Sequence, residues 1–250
     1  FTLRHDRRDL GRSGDVGEEQ KAGQEREPAA RRDAPGPEES GRIADFLELL
    51  LSAGLDDTAV IDNLLTFLAA GHETTARSLA WTLYLLSRDP ASLARLEAEI
   101  DAAPLDTTEP ADWSRHLPFT EAVLKESLRL YPSAPMLART SKEWDLVTGL
   151  PVPAGTDVLV STWLLHRQRD IWDQPDAFVP DRFMGEAATT IPRDAYLPFG
   201  LGPRVCIGAR FAMMEMVIVM ACLVRRLRFE FAGDRDPVPV MRITLQPDTD

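Results

Sequence analysis

Residues Phe199 to Ala212 read FGLGPRVCIGARFA. Cys206 sits there among Gly200, Gly202, Gly208 and Pro203, just ahead of a long apolar stretch with helical spacing. A cysteine that only packs is a small hydrophobe, and it needs no cluster of glycines around it. Glycines suit a tight turn and let a flat ligand approach the backbone. The pattern predicts a helix over about Ile207–Arg228. That would place Cys206 at a helix N-terminus, where unpaired N–H groups and the dipole suit an anionic sulfur. Arg204 adds positive charge nearby.

Such a sulfur serves as a nucleophile or as a metal ligand. A zinc site needs about four ligands, and no CxxC or closely spaced histidine pair supplies them. A Cys–His nucleophile stays open, because His5, His72, His116 and His166 are scattered along the chain. A single axial thiolate to haem iron needs no other protein ligand and fits best. Phe199-Gly200-Leu201-Gly202-Pro203-Arg204-Val205-Cys206-Ile207-Gly208 resembles the haem-binding loop of the cytochrome P450 family at every defining position. The resemblance implies haem b (iron protoporphyrin IX) with Cys206 as its proximal ligand. It also implies that Arg204 meets a propionate, that Phe199 shields the sulfur, and that Gly200 and Gly208 hold the loop open against the porphyrin.

Three further segments follow in the order that the resemblance requires. Asp56 or Asp57 can cap a helix running to about Arg88, whose middle, LLTFLAAG, is apolar on nearly every face. Such a helix is expected inside a domain. Its Ala70-Gly71-His72-Glu73-Thr74-Thr75 resembles the family's oxygen-activating stretch. Gly71 costs roughly 1 kcal/mol relative to Ala in a helix interior; with Ala70 it removes bulk where a ligand could lie. Thr74 can bond back to the Ala70 carbonyl and open the ladder for a water, and Glu73 can relay protons. A small-residue helix crossing with an exposed Glu-Thr pair is the plain alternative.

Glu126 and Arg129, three apart on a fourth helix, share a face and match the family's ExxR element. Phe178-Val179-Pro180-Asp181-Arg182-Phe183 matches the loop whose arginine joins that pair, a structural cluster under the haem. Tyr131-Pro132-Ser133-Ala134-Pro135-Met136-Leu137-Ala138-Arg139 resembles the segment passing the haem edge. Arg139 would hold a propionate, or else is an ordinary surface arginine. His166-Arg167 also fits the family, in a structural role.

The remaining sequence bounds the reading. A formal net charge of −12 argues against nucleic acid as the main partner. The longest apolar run, MVIVMACLV, is nine residues, well short of the roughly 18 of a membrane span. Cys206 and Cys222 on one helix would be roughly 24 Å apart, too far for a disulfide, so a reduced, cytoplasmic protein is expected. An anchor or targeting segment upstream of Phe1 stays open. Residues 1–42 are expected to be a disordered charged tail or linker: the first forty hold eighteen charged residues and few large apolar ones. Residues 43–250 read as mostly α with a minor β-sheet, which the resemblance makes the C-terminal portion of a P450-like fold. The chain is expected to stop before that fold's last pocket-forming hairpin.

The resemblance implies a haem-thiolate monooxygenase that inserts one atom of O2 into a small lipophilic substrate. Electrons would come from a ferredoxin, flavodoxin or flavoprotein reductase. Phe67, Ala70, Met136 and Leu137 would form an apolar pocket wall. The alternatives are a peroxide-using or isomerising relative, a non-catalytic haem-binding module, and a truncated, inactive fragment.

Overall fold

The computed structural model describes residues 2–4 and 45–248. Apart from Thr2–Arg4, the expected tail and His5 lie outside the described residues. The chain forms two compact units, Arg8–Ala69 and Phe1–Arg7 with Ala70–Asp250. Helix α2 (Asp57–Arg88) begins in the first and continues into the second.

In the Arg8–Ala69 unit, helix α1 (Phe46–Ser52) opens on a capping box. Asp45 Oδ1 accepts from the Glu48 amide at 2.9 Å, and Glu48 accepts from the Asp45 amide. These bonds satisfy two amides that a helix start leaves unpaired. Asp56 caps α2 by accepting from the Ala59 amide at 2.8 Å. The Phe46 and Phe67 rings meet at 4.4 Å between centroids. Ile61, Leu65, Phe67 and Leu68 are nevertheless exposed. The expectation that the apolar middle of α2 is covered on all sides is therefore corrected. Apart from Val60, the buried residues of this helix lie further on, at Thr75, Ser78, Trp81, Thr82, Tyr84, Leu85 and Leu86.

The Ala70–Asp250 unit is built on α3 (Pro90–Ala102), α4 (Pro118–Leu130) and α7 (Ala209–Arg226). Pro90 and Pro118 each fall in the first turn, where a missing N–H costs nothing. The core joins Leu96 and Ile100 of α3, Val123, Leu124 and Leu128 of α4, and Met216, Val217 and Met220 of α7. No side chain at the N-terminus of α4 caps it locally. The Glu99 carboxylate of α3 does so instead, accepting from the Phe119 and Thr120 amides at 2.7 and 2.8 Å. Short helices α5 (Thr162–Leu165) and α6 (Gly185–Thr190) complete the α content.

The strands pair as four antiparallel ribbons rather than one sheet. β1 (Thr2–Arg4) pairs with β6 (Arg228–Glu230), and β2 (Met136–Thr140) with β5 (Asp157–Ser161). β3 (Asp145–Val147) and β4 (Leu150–Val152) form a hairpin. Thr148 and Gly149 turn it, both at positive φ, as a tight two-residue hairpin requires. The segment MRITLQ spans a turn. Met241 ends β7 (Pro239–Met241) and Leu245 starts β8 (Leu245–Pro247), so a final hairpin is present.

Polar groups buried at the C-terminal end of α4 tie down the backbone at His166, Pro175, Ala177, Val179 and Leu197. Glu126 and Arg129 are both fully buried and form a two-pronged ion pair at 2.7 and 2.8 Å. The remaining donors of Arg129 reach the carbonyls of His166, Pro175 and Ala177 at 2.8, 2.6 and 2.9 Å. All five N–H groups of the guanidinium are thus used. Glu126 also accepts from the Val179 amide at 2.9 Å and from Arg182 Nε at 3.4 Å. His166, also fully buried, donates from Nδ1 to the Arg129 carbonyl and accepts the Leu197 amide on Nε2 at 2.8 Å. Only the neutral ring can do both. Burial accordingly pushes its pKa down to about 4.

Glu126→Gln removes the anion from a buried Arg129 and should cost about 3–5 kcal/mol. The urea unfolding midpoint measures this; a loss below about 1 kcal/mol would show that the pair is not needed. His166 yields a pH dependence. Between its folded value of about 4 and the unfolded value near 6.5, the unfolded chain binds the extra proton. Stability therefore falls as pH drops through that window, by up to about 3 kcal/mol. His166→Gln keeps an acceptor but no titration. The difference in unfolding free energy between wild type and variant should shrink from pH 7 to pH 4.5, and a constant difference would exclude the mechanism.

Candidate functional site

The cysteine loop is shaped by its backbone. The Cys206 amide donates to the Phe199 carbonyl at 2.9 Å, and the Val205 amide to the Gly202 carbonyl at 3.0 Å. Gly200 and Gly202 lie at φ +76° and +79°, where a side chain would strain the turn. A Cβ on Gly208 would sit 3.9 Å from Cys206 Sγ, an ordinary contact. Helix α7 starts later than the spacing predicts, with Gly208 as its N-cap and Arg226 as its last residue. Cys206 thus precedes the cap by two residues, and Cys222 alone lies in the helix. Both thiols are free.

Cys206 is exposed, amid exposed Leu201, Val205, Ile207 and Phe211. The half-buried Phe199 ring packs on the α4–α7 core. Arg204 is exposed with no ion pair among the described residues. Arg139 is exposed too, donates only to the Ala138 carbonyl at 2.7 Å, and meets no carboxylate among the described residues. Two residues apart on β2, Arg139 and Leu137 share a face. Leu137 Cδ1 lies 3.8 Å from where a Gly200 Cβ would be, so that face borders the cysteine loop. The strand β2 escaped the sequence reading, because five residues between Pro135 and the turn at Ser141 carry no clear alternation.

On α2 the Thr74 hydroxyl donates to the Ala70 carbonyl at 2.7 Å, as its spacing predicts. The helix nevertheless stays α-helical throughout, so the expected opening of the ladder is absent. A Cβ on Gly71 would meet nothing within 4 Å, so a tight helix crossing does not account for that glycine. Glu73 accepts from Thr244 Oγ1 at 2.9 Å and lies 3.9 Å from Arg77 Nε.

Two serines complete this region and were not singled out by sequence. Ser78 Oγ and Ser133 Oγ each contact the Thr74 carbonyl at 2.9 Å and each other at 2.7 Å. Ser78 follows Thr74 by one helical turn, a findable signal. Ser133 and Thr244 lie 59 and 171 positions from their partners on α2, and no local pattern points to them.

The donor set fits a haem. One sulfur stands exposed on an apolar shelf, and two cations without carboxylate partners stand on the loop and on the strand beside it. No group of three or more His, Cys, Asp or Glu able to hold a metal ion occurs among the described residues. No helix among them is long and apolar enough to cross a membrane.

Comparison with known proteins agrees. The family model for cytochrome P450 matches residues 20–249. The chain is 40% identical over 202 residues to LUTEIN DEFICIENT 5, chloroplastic, of Arabidopsis thaliana, covering 79% of this chain and 34% of that protein. It is 38% identical over 218 residues to cyclooctatin synthase of Streptomyces melanosporofaciens, covering 84% and 46%. It is 36% identical over 181 residues to carotene epsilon-monooxygenase, chloroplastic, of Arabidopsis thaliana, covering 70% and 33%. The matched part thus spans between a third and a half of these relatives. A family match over most of the chain, joined to a lone exposed thiol on a glycine-shaped loop, makes the chain a member of the cytochrome P450 family, whose cofactor is haem b.

Proposed function

We propose that the chain carries the proximal and proton-handling parts of a haem-thiolate monooxygenase. The observation that carries this reading is the exposed Cys206 thiol on its glycine-shaped loop. Haem b, when bound, supplies the iron that activates molecular oxygen with two electrons and places one oxygen atom in an organic substrate.

The protein's own residues do the rest. Cys206 would hold the haem iron through its sulfur, and the loop bond from its amide to Phe199 limits how far that sulfur can move. Phe199 would keep water from the sulfur's protein side. Arg204 and Arg139 would neutralise the propionates, while Gly200 and Gly208 would leave room for the ring. Ala70 and Gly71 leave room along α2. Thr74 Oγ1 holds a proton toward the Ala70 carbonyl, and Glu73 replenishes it, so the pair delivers the protons that the reaction consumes. Glu126, Arg129 and Arg182 stay structural.

Met136 and Leu137 offer apolar contacts, which suit a lipophilic substrate. The name of one relative, carotene epsilon-monooxygenase, points the same way, carotene being a hydrocarbon. The electrons would come from a ferredoxin, flavodoxin or flavoprotein reductase in a reducing compartment, in keeping with two free thiols.

Reduced, haem-loaded protein under carbon monoxide should show the strongly red-shifted Soret band of a thiolate complex. Cys206→Ser should abolish that band and Cys222→Ser should keep it; a band surviving in the Cys206 variant would overturn the ligand assignment. Thr74→Ala should divert reducing equivalents into hydrogen peroxide and lower product formation by on the order of 10²-fold. The ratio of peroxide formed to NAD(P)H consumed reads this directly, and an unaltered ratio would remove Thr74 from the proton path.

A further inference from the structure

We infer that Thr244 is a positioning residue for Glu73, fixing its carboxylate for proton exchange. The inference rests on the reading that Glu73 and Thr74 handle protons. Thr244 stands in the turn between β7 and β8 and is 5% exposed, whereas the Glu73 side chain is 39% exposed. Its hydroxyl donates to Glu73 Oε1 at 2.9 Å. A hydroxyl has one proton to give, so this bond commits Oε1 as an acceptor. Arg77 Nε approaches the same oxygen at 3.9 Å. Both contacts fall on Oε1, and Oε2 is left for exchange.

The turn that presents Thr244 is itself held. The next residue, Leu245, donates its amide to the Ser133 carbonyl at 3.0 Å and accepts at its own carbonyl from Trp81 Nε1 at 3.0 Å. Trp81 is 1% exposed and stacks on Tyr131 at 4.0 Å. The turn is therefore tied to α2 at Glu73 and again at Trp81, roughly 12 Å further along the helix. It is tied as well to Ser133, whose hydroxyl contacts the Thr74 carbonyl. One rigid turn thus sets both the Glu73 side chain and, through Ser133, the backbone at Thr74. A flexible side chain such as glutamate has many rotamers on an exposed helix face; a buried donor on a fixed backbone selects among them.

Thr244→Val removes the hydroxyl and keeps the shape, while Thr244→Ser keeps the hydroxyl. In the haem-loaded protein with its reductant, Thr244→Val should raise peroxide per NAD(P)H on the order of ten-fold, the worth of a hydrogen bond to a charged group. Thr244→Ser should restore the wild-type ratio. In urea unfolding, which does not depend on turnover, Thr244→Val and Glu73→Ala should be non-additive, because each removes the same bond. If Thr244→Val leaves the ratio unchanged while Glu73→Gln and Thr74→Ala raise it, the positioning role is overturned and the proton path stands. Should none of the three raise it, the proton path fails and takes the inference with it. Non-additive unfolding without a change in the ratio would make Thr244 a staple for the hairpin, which also overturns the inference.

Discussion

The buried guanidinium of Arg129 is the constraint on which the surrounding structure depends. A charge taken out of water is tolerable only if its partners are complete, and here they are drawn from four separate places in the chain. Glu126 supplies the anion, and the carbonyls of His166, Pro175 and Ala177 take the other N–H groups. Those carbonyls lie in loops that also carry their own turn bonds, such as those from the Ile171 and Trp172 amides to the Gln168 carbonyl. Satisfying one side chain draws these separate turns together between α5 and Val179.

His166 extends that order to the cysteine loop. Its ring bridges the last turn of α4 and the amide of Leu197, two residues before Phe199. Phe199 in turn accepts the Cys206 amide. A short chain of bonds thus runs from the Glu126–Arg129 pair to the backbone of Cys206. A loop rich in glycine has high conformational entropy, and this chain of bonds opposes it. The cysteine loop is thus anchored by polar groups lying well behind it.

On α2 the same principle works with neutral groups. The Thr74 carbonyl accepts from Ser78 and Ser133, its hydroxyl points back to Ala70, and the hairpin turn holds Glu73. Gly71 beside them faces open space. These bonds hold Glu73 and Thr74 from the side of Ser133 and the hairpin turn.

Much of this was legible in the residues themselves. The glycine–cysteine loop, the Glu126–Arg129 spacing and the Ala70–Thr74 stretch are local patterns, and local chemistry defines them: a positive φ, a three-residue helical offset, a hydroxyl one turn from a carbonyl. Aspartate marked the start of α2 for the same reason, since caps act within a few residues. What the sequence could not show is which distant groups complete those patterns. The start of α7 depends on the loop bond between Cys206 and Phe199, and β2 exists because β5 pairs with it. Exposure along Ile61–Leu68 contradicted a helix that looks buried by composition, because composition says that a helix can be covered and not what covers it. Ser133, His166 and Thr244 gained their roles from partners 31 to 171 positions away. Sequence alone determined the family, the glycine-shaped cysteine loop and the bond from Thr74 to Ala70 one helical turn away. Tertiary structure alone decided what holds each of them still, because a hydrogen bond across the fold depends on where two backbones meet and leaves no periodicity in either.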